Sequence, residues 1–133
     1  MADNLFQLGK FNLHSGTVSH FKIDCDILTE SDWATLAYII KESCIFSEVI
    51  GVPDGGLELA SKLKKYRKKK ANLVLIVDDV LTTGASMEIV RNKLMVPSRG
   101  IVVFARGQCP SWVIPIFQMD TYMNLQSCED SDP

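Results

Sequence analysis

Between Thr29 and Cys44 the apolar residues fall on one side of a helix. Trp33, Leu36, Ala37, Ile40 and Cys44 recur at helical spacing, behind Thr29 or Ser31 as a cap and Asp32 in the first turn. "EVIGVP" (48–53) predicts a short buried strand stopped by Pro53. "DGGLELASKLKKY" (54–66) predicts a turn opening a helix, with Leu57, Ala60 and Leu63 on one face and lysines in the last turn. "NLVLIVDD" (72–79) is apolar on both faces, as in a parallel sheet covered by helices, and ends on paired acids. "ASMEIVRNKLM" (85–95) predicts a helix with Met87, Val90 and Leu94 inward, ended before Pro97. "GIVVFAR" (100–106) predicts a further strand, and "WVIPIFQM" (112–119) a last one broken by Pro115.

Strands alternating with helices in this way predict an α/β fold, a single-domain, mostly parallel sheet flanked by helices. Ligands of such sheets sit at the carboxyl ends of the strands, where both "VPDGG" and "DDVLTTGAS" fall. The length, 133 residues, suits one domain over 1–133 with a single core. No apolar run approaches the roughly 20 residues of a membrane span, so a membrane is not expected as a partner. The N-terminus lacks the basic start and apolar stretch of a secretory signal, and the expected location is cytoplasmic.

Charge changes the picture at one place. The net charge is −2, yet "KLKKYRKKK" (62–70) holds seven of the 14 basic residues, so the rest of the chain is clearly acidic. That balance argues against nucleic acid as the main partner, and the lysine run reads first as a solvated helix end. The cysteines Cys25, Cys44, Cys109 and Cys128 show no C-x-x-C spacing, and with only His14 and His20 beside them a zinc site is not expected.

The chemistry gathers in two loops. Asp78 and Asp79 are surplus to helix capping, because a cap for the next helix belongs nearer Thr83. Vicinal carboxylates suit the paired hydroxyls of a ribose, or a divalent metal nearby. "VLTTGAS" then leads into a helix N-terminus, where small residues let backbone N–H groups converge on an anion and Thr82, Thr83 and Ser86 add hydroxyls. Together they read as a ribose 5-phosphate site. Neither a Walker loop nor G-x-G-x-x-G is present.

"VLIVDDVLTTGAS" resembles, almost position for position, the phosphoribosyl-pyrophosphate-binding motif of the type I phosphoribosyltransferases. The resemblance implies that Asp78 and Asp79 meet the ribose hydroxyls as the catalytic acids. It gives Leu81, Thr82, Thr83, Gly84, Ala85 and Ser86 to the 5-phosphate. "GVPDGGLELA" resembles the family's pyrophosphate loop, which assigns Pro53, Asp54, Gly55 and Gly56 and implies a non-proline cis peptide near Asp54. "FNLHSGTVSHFKID" (11–24) resembles the N-terminal hood of orotate phosphoribosyltransferases, within a hood-like segment 1–28. "VVFARGQ" resembles the strand whose arginine contacts orotate. Base contact is thereby implied for Phe21, Lys22 and Arg106. Mg²⁺ is implied as cofactor, held mainly through the ligand with Asp78 and Asp79 as the protein's candidates. A homodimer is the implied assembly.

The chain also departs from that family. It is short, and only "KKYRKKKAN" separates a helix from the "LVLIVDD" strand, where the family places a strand and a long catalytic loop bearing a lysine. Lys68, Lys69 or Lys70 are the candidates to replace that charge. His14 stands in place of a lysine, and Ala105 in place of the aspartate before Arg106. The acidic end 129–133 is expected to be disordered. Two readings follow. One is a phosphoribosyltransferase that moves phosphoribose to a nucleobase, a pyrimidine such as orotate. The other is a non-catalytic domain that binds phosphoribosyl pyrophosphate or a nucleotide and regulates. A third, a nucleic-acid binder working through the lysine run, would need strongly salt-dependent affinity.

Overall fold

The structure, a computed structural model, describes residues 4–13, 16 and 18–119. His14, Cys128 and the 129–133 tail therefore lie outside the described residues. The chain opens with an antiparallel hairpin of β1 (Phe6–Asn12) and β2 (Val18–Ile23), its register shifted between Leu8 and Phe11. This hairpin occupies the segment expected to be hood-like, for which the pattern predicted no strands.

Helix α1 (Glu30–Ser43) starts in a capping box: the Thr29 hydroxyl accepts from the Asp32 N–H, and the Asp32 carboxylate accepts from the Thr29 N–H. Its inner face is Trp33, Leu36, Ala37 and Ile40, as the spacing predicts, whereas Cys44 falls past the helix end as its C-cap. Then follow β3 (Glu48–Gly51), α2 (Leu57–Leu63) with a 3-10 turn over Lys64–Tyr66, β4 (Val74–Leu81), α3 (Ala85–Asn92), β5 (Ser98–Ala105) and β6 (Val113–Gln118). The last four strands form one parallel sheet in the order β3-β4-β5-β6.

Residues of β4 and β5 alternate between two packed layers. Leu75, Val77, Ile101 and Val103 join the α1 and α2 side, whereas Ile76 and Val102 join Met87 of α3 on the other. Leu75, Ile76 and Val77 are fully buried, each worth about 1.5–3 kcal/mol in transfer terms. That burial fixes β4 in register and so fixes where its acids emerge.

Four expectations about the elements need correction. Strand β4 does not stop at Asp79: Val80 and Leu81 pair with Phe104 and Ala105, so the acids sit within the strand's last turn of pleat. In α2 it is Leu59, with Ala60 and Leu63, that is buried, while Leu57 is half exposed. Helix α3 closes at Asn92 rather than Met95, which lies 96% exposed. Strand β6 runs through Pro115, which pairs with Val102. It is an edge strand of the described sheet, where a missing N–H leaves no ladder bond unmade.

Candidate functional site

Strands β3 and β4 deliver their loops to the same end of the sheet. The β3 loop turns at Pro53–Asp54, a cis peptide, and the Gly56 N–H donates to the Val52 carbonyl at 2.7 Å. Its two glycines serve different neighbours. A Cβ on Gly55 would lie 2.3 Å from Asp79 Oδ1, so only glycine lets this loop close on that carboxylate. A Cβ on Gly56 would lie 2.2 Å from the Val77 carbonyl oxygen and 2.7 Å from the Val52 nitrogen. Gly56 thus packs the loop onto β4 and lies under the site, whereas Pro53, Asp54 and Gly55 line it.

Each acid at the end of β4 bends toward the residue that follows. Asp78 Oδ1 accepts from the Asp79 N–H at 2.8 Å, and Asp79 Oδ1 accepts from the Val80 N–H at 2.7 Å. Burial, then a hydrogen bond and charge repulsion from Asp79, push the Asp78 carboxyl up to about 8. Beyond Leu81 the chain turns through Thr82 and Thr83 to Gly84, which starts α3 with φ +84° and needs no side-chain cap. The Ala85 N–H donates to Thr83 Oγ1 at 3.3 Å. Among the described residues, the N–H groups of Thr83, Gly84 and Ser86 have no acceptor, which leaves them free for an anion.

These loops and the hairpin enclose a cleft of about 790 Å³. Asp78, Asp79, Leu81, Thr82, Thr83, Gly84, Ala85 and Ser86 all line it, as do Lys22 and Arg106. Phe21 does not. Its ring lies beneath the Arg106 guanidinium, 3.9 Å from the guanidinium carbon, because an arginine plane stacks well on an aromatic face. Arg106 is not the solvent-facing residue a strand end could give either: it donates to the Phe21 carbonyl at 3.2 Å and to Ser19 Oγ at 2.6 Å.

Asp24, Asp26 and Glu58 line the cleft without having been expected there. Glu58 sits in the first turn of α2, where an acid reads equally well as a partner of the helix dipole. The buried thiol of Cys25 also lines the cleft, and burial with Asp79, Asp24, Asp26 and Asp78 around it pushes it up to about 12. A thiol so held is not a nucleophile near neutral pH.

The lysine run belongs to the opposite end. The Lys68 N–H donates to Phe46 O, the Ser47 N–H to Leu73 O, and Arg67 meets Glu48, all at the amino ends of β3 and β4. The length of β4 from Val74 to Asp79, roughly 16 Å at the usual rise, separates it from the acids. None of Lys62 to Lys70 lines the cleft, so Lys68, Lys69 and Lys70 are not positioned to stand in for a catalytic lysine.

No protein-family model and no curated protein sequence matches the chain. Solved structures do. Orotate phosphoribosyltransferase from Aeropyrum pernix superposes with a TM-score of 0.66 at 24% identity, over 86% of this chain and 88% of that one. The chain has the type I phosphoribosyltransferase fold. Orotate phosphoribosyltransferase from Francisella tularensis gives 0.57 at 20% identity, over 87% and 81%. UMP synthase from Leishmania donovani gives 0.63 at 17%, over 86% of this chain and 33% of that longer one. In this phosphoribosyltransferase fold, the described chain passes from α2 to β4 through residues 64–73 alone, with no intervening strand.

Proposed function

We propose that the cleft binds phosphoribosyl pyrophosphate and transfers its phosphoribosyl group to a nucleobase, with a pyrimidine such as orotate the first acceptor to test. One observation carries the reading: Asp79 lies against Gly55 in a cleft that the Thr82–Ser86 loop also lines. A ribose between them would have carboxylates for its hydroxyls, free N–H groups for its 5-phosphate, and the Pro53–Gly55 loop for its diphosphate.

Mg²⁺ fits this donor set as a ligand-borne ion. Among the described residues, no three His, Cys, Asp or Glu side chains converge into a metal site. Six acids line the cleft (Asp24, Asp26, Asp54, Glu58, Asp78, Asp79) against Lys22 and Arg106, so a diphosphate entering it needs a counter-cation. Such an ion keeps its waters and substrate oxygens and takes one or two carboxylates, for which Asp78 and Asp79 are the candidates. When bound, it supplies charge to the departing diphosphate. The protein's own part is positional. Gly55 lets the Pro53–Gly55 loop close on Asp79 and so brings that loop up to the diphosphate, Asp79 holds the ribose hydroxyls as positive charge develops at C1, and the α3 N-terminus anchors the far phosphate.

A specific observation favours a second reading, binding without transfer. Among the described residues Lys22 of the hairpin is the only lysine that lines the cleft, and the lysine run lies at the other end of β4. A pyrophosphate-release assay with phosphoribosyl pyrophosphate, Mg²⁺ and a panel of pyrimidine and purine bases separates the two. Base-dependent release supports the transferase, and saturable binding with no release for any base supports the regulatory domain.

A further inference from the structure

We propose that Arg106 is a positioning residue, a latch that ties the β1–β2 hairpin to the phosphate loop, rather than the group that reads the base. Among the described residues, every hydrogen bond between the hairpin and the parallel sheet or its loops comes from Arg106. The other hydrogen bonds of the hairpin's described residues stay within it or at its root. Gln7 donates to Asn4 O and to Asp24, and the Asp24 N–H donates to Leu5 O. Apolar packing, including the Phe6 ring edge-on to Phe104, completes the seat, but packing alone has no direction and permits sliding.

The latch is built at both ends. On the hairpin, Ser19 Oγ donates to the Phe21 carbonyl at 2.8 Å and accepts from the Phe21 N–H at 3.2 Å, so the acceptors of Arg106 are themselves fixed. The guanidinium stacks on Phe21 and gives two of its nitrogens to that short loop of bonds, a geometry only a planar fork can make. On the sheet, the Arg106 N–H donates to Leu81 O at 2.8 Å. A Cβ on the adjoining Gly107 would come within 2.6 Å of Thr82 O. Residues 106 and 107 therefore press against the first residues of the phosphate loop while the Arg106 side chain holds the hairpin. Whatever spans the cleft from phosphate to hairpin meets two walls set at a fixed separation by this one residue.

The proposal rests on the phosphoribosyl reading only for its affinity arm. The variants are Arg106→Lys, which keeps the charge and loses the fork, and Ser19→Ala, which removes one acceptor and touches no ligand atom in the base-reader account. Amide hydrogen exchange in Arg106→Lys should quicken at least tenfold across Phe6–Ile23 and stay unchanged in β4 and β5. Ser19→Ala should quicken the same amides by less. Affinity for uridine 5′-monophosphate, which would span both walls, should fall about tenfold in Arg106→Lys, the size of a lost charged hydrogen bond, and fall less in Ser19→Ala. Affinity for ribose 5-phosphate, held by one wall, should stay within twofold in both. Unchanged hairpin exchange in Arg106→Lys overturns the latch. So does a Ser19→Ala protein identical to wild type in exchange and affinity, beside an Arg106→Lys protein that loses only the nucleotide. If wild type binds neither compound, the phosphoribosyl reading falls and the exchange arm alone decides the latch.

Discussion

The two walls of the cleft are held by different means. The phosphate wall is backbone: β4 is pinned by three fully buried residues, Gly55 and Gly56 bring a loop to within contact of it, and α3 starts at a left-handed glycine. The hairpin wall is side chain, joined to the sheet by apolar packing and the bonds of Arg106. A backbone wall tolerates little change in its own residues but does not depend on distant ones. A side-chain wall can be loosened from one position while each element stays intact.

The sharpest break comes at the phosphate wall. Asp79→Asn keeps shape and removes charge, so affinity for phosphoribosyl pyrophosphate with Mg²⁺, and any turnover, should fall about a hundredfold or more with an unchanged circular dichroism spectrum. Full activity in that variant would remove Asp79 from the site. The two glycines separate binding from stability. Gly56→Ala meets backbone atoms that cannot turn aside, and should cost on the order of 3 kcal/mol in denaturant unfolding. Gly55→Ala has the Asp79 carboxylate as its nearest neighbour, and that side chain can rotate, so it should cost under about 1 kcal/mol while weakening binding about tenfold or more. Equal losses of stability would mean that Gly55, too, only packs.

The pH dependence of stability tests the acids without any ligand. Asp78 rises from an ordinary 3.8 to about 8 in the folded chain, so between those values the folded state holds a proton that the unfolded state has released. Its contribution is fully present below about 4 and is lost as pH climbs toward 8, by at most about 1.4 kcal/mol per unit. Unfolding measured with divalent cations absent should show that decline, and Asp78→Asn should flatten it. The smallest effect is at the far end of the sheet. Replacing Lys68, Lys69 and Lys70 by alanine should leave affinity at moderate salt within about twofold, since the run lies beyond a Debye length from the acids. A tenfold loss would put the run over the cleft after all.

The difference between the walls also explains what could be read from the residues alone. Short apolar runs marked the four parallel strands of the described residues and apolar positions at helical spacing marked their three helices, because each sets apolar side chains into one of the two packed layers. "DDVLTTGAS" and "VPDGG" were legible as a ligand site because their chemistry is local, a few neighbouring residues at a strand end. The hairpin was not legible as strands: β1 is mostly exposed without regular alternation, and in β2 the inward set Ser19, Phe21 and Ile23 includes a serine while Val18 faces out. Resemblance puts Arg106 near the base, yet its partners Ser19 and Phe21 lie 87 and 85 residues away in sequence, beyond any spacing rule. The extension of β4 past its acids was hidden for a related reason. Carboxylates read as the end of an apolar strand, but the ladder to Phe104 and Ala105 carries the strand on.

The central claim is that the acids of β4, the Gly55 loop and the Thr82–Ser86 loop form one phosphoribosyl pyrophosphate site. A calorimetric titration of the full chain with phosphoribosyl pyrophosphate, with and without Mg²⁺, tests it most directly. The expected result is a single saturable site per chain that tightens with Mg²⁺, is competed by ribose 5-phosphate and by pyrophosphate, and is lost in Asp79→Asn. No saturable heat, or a binding isotherm that Mg²⁺ and Asp79→Asn leave unmoved, would contradict it.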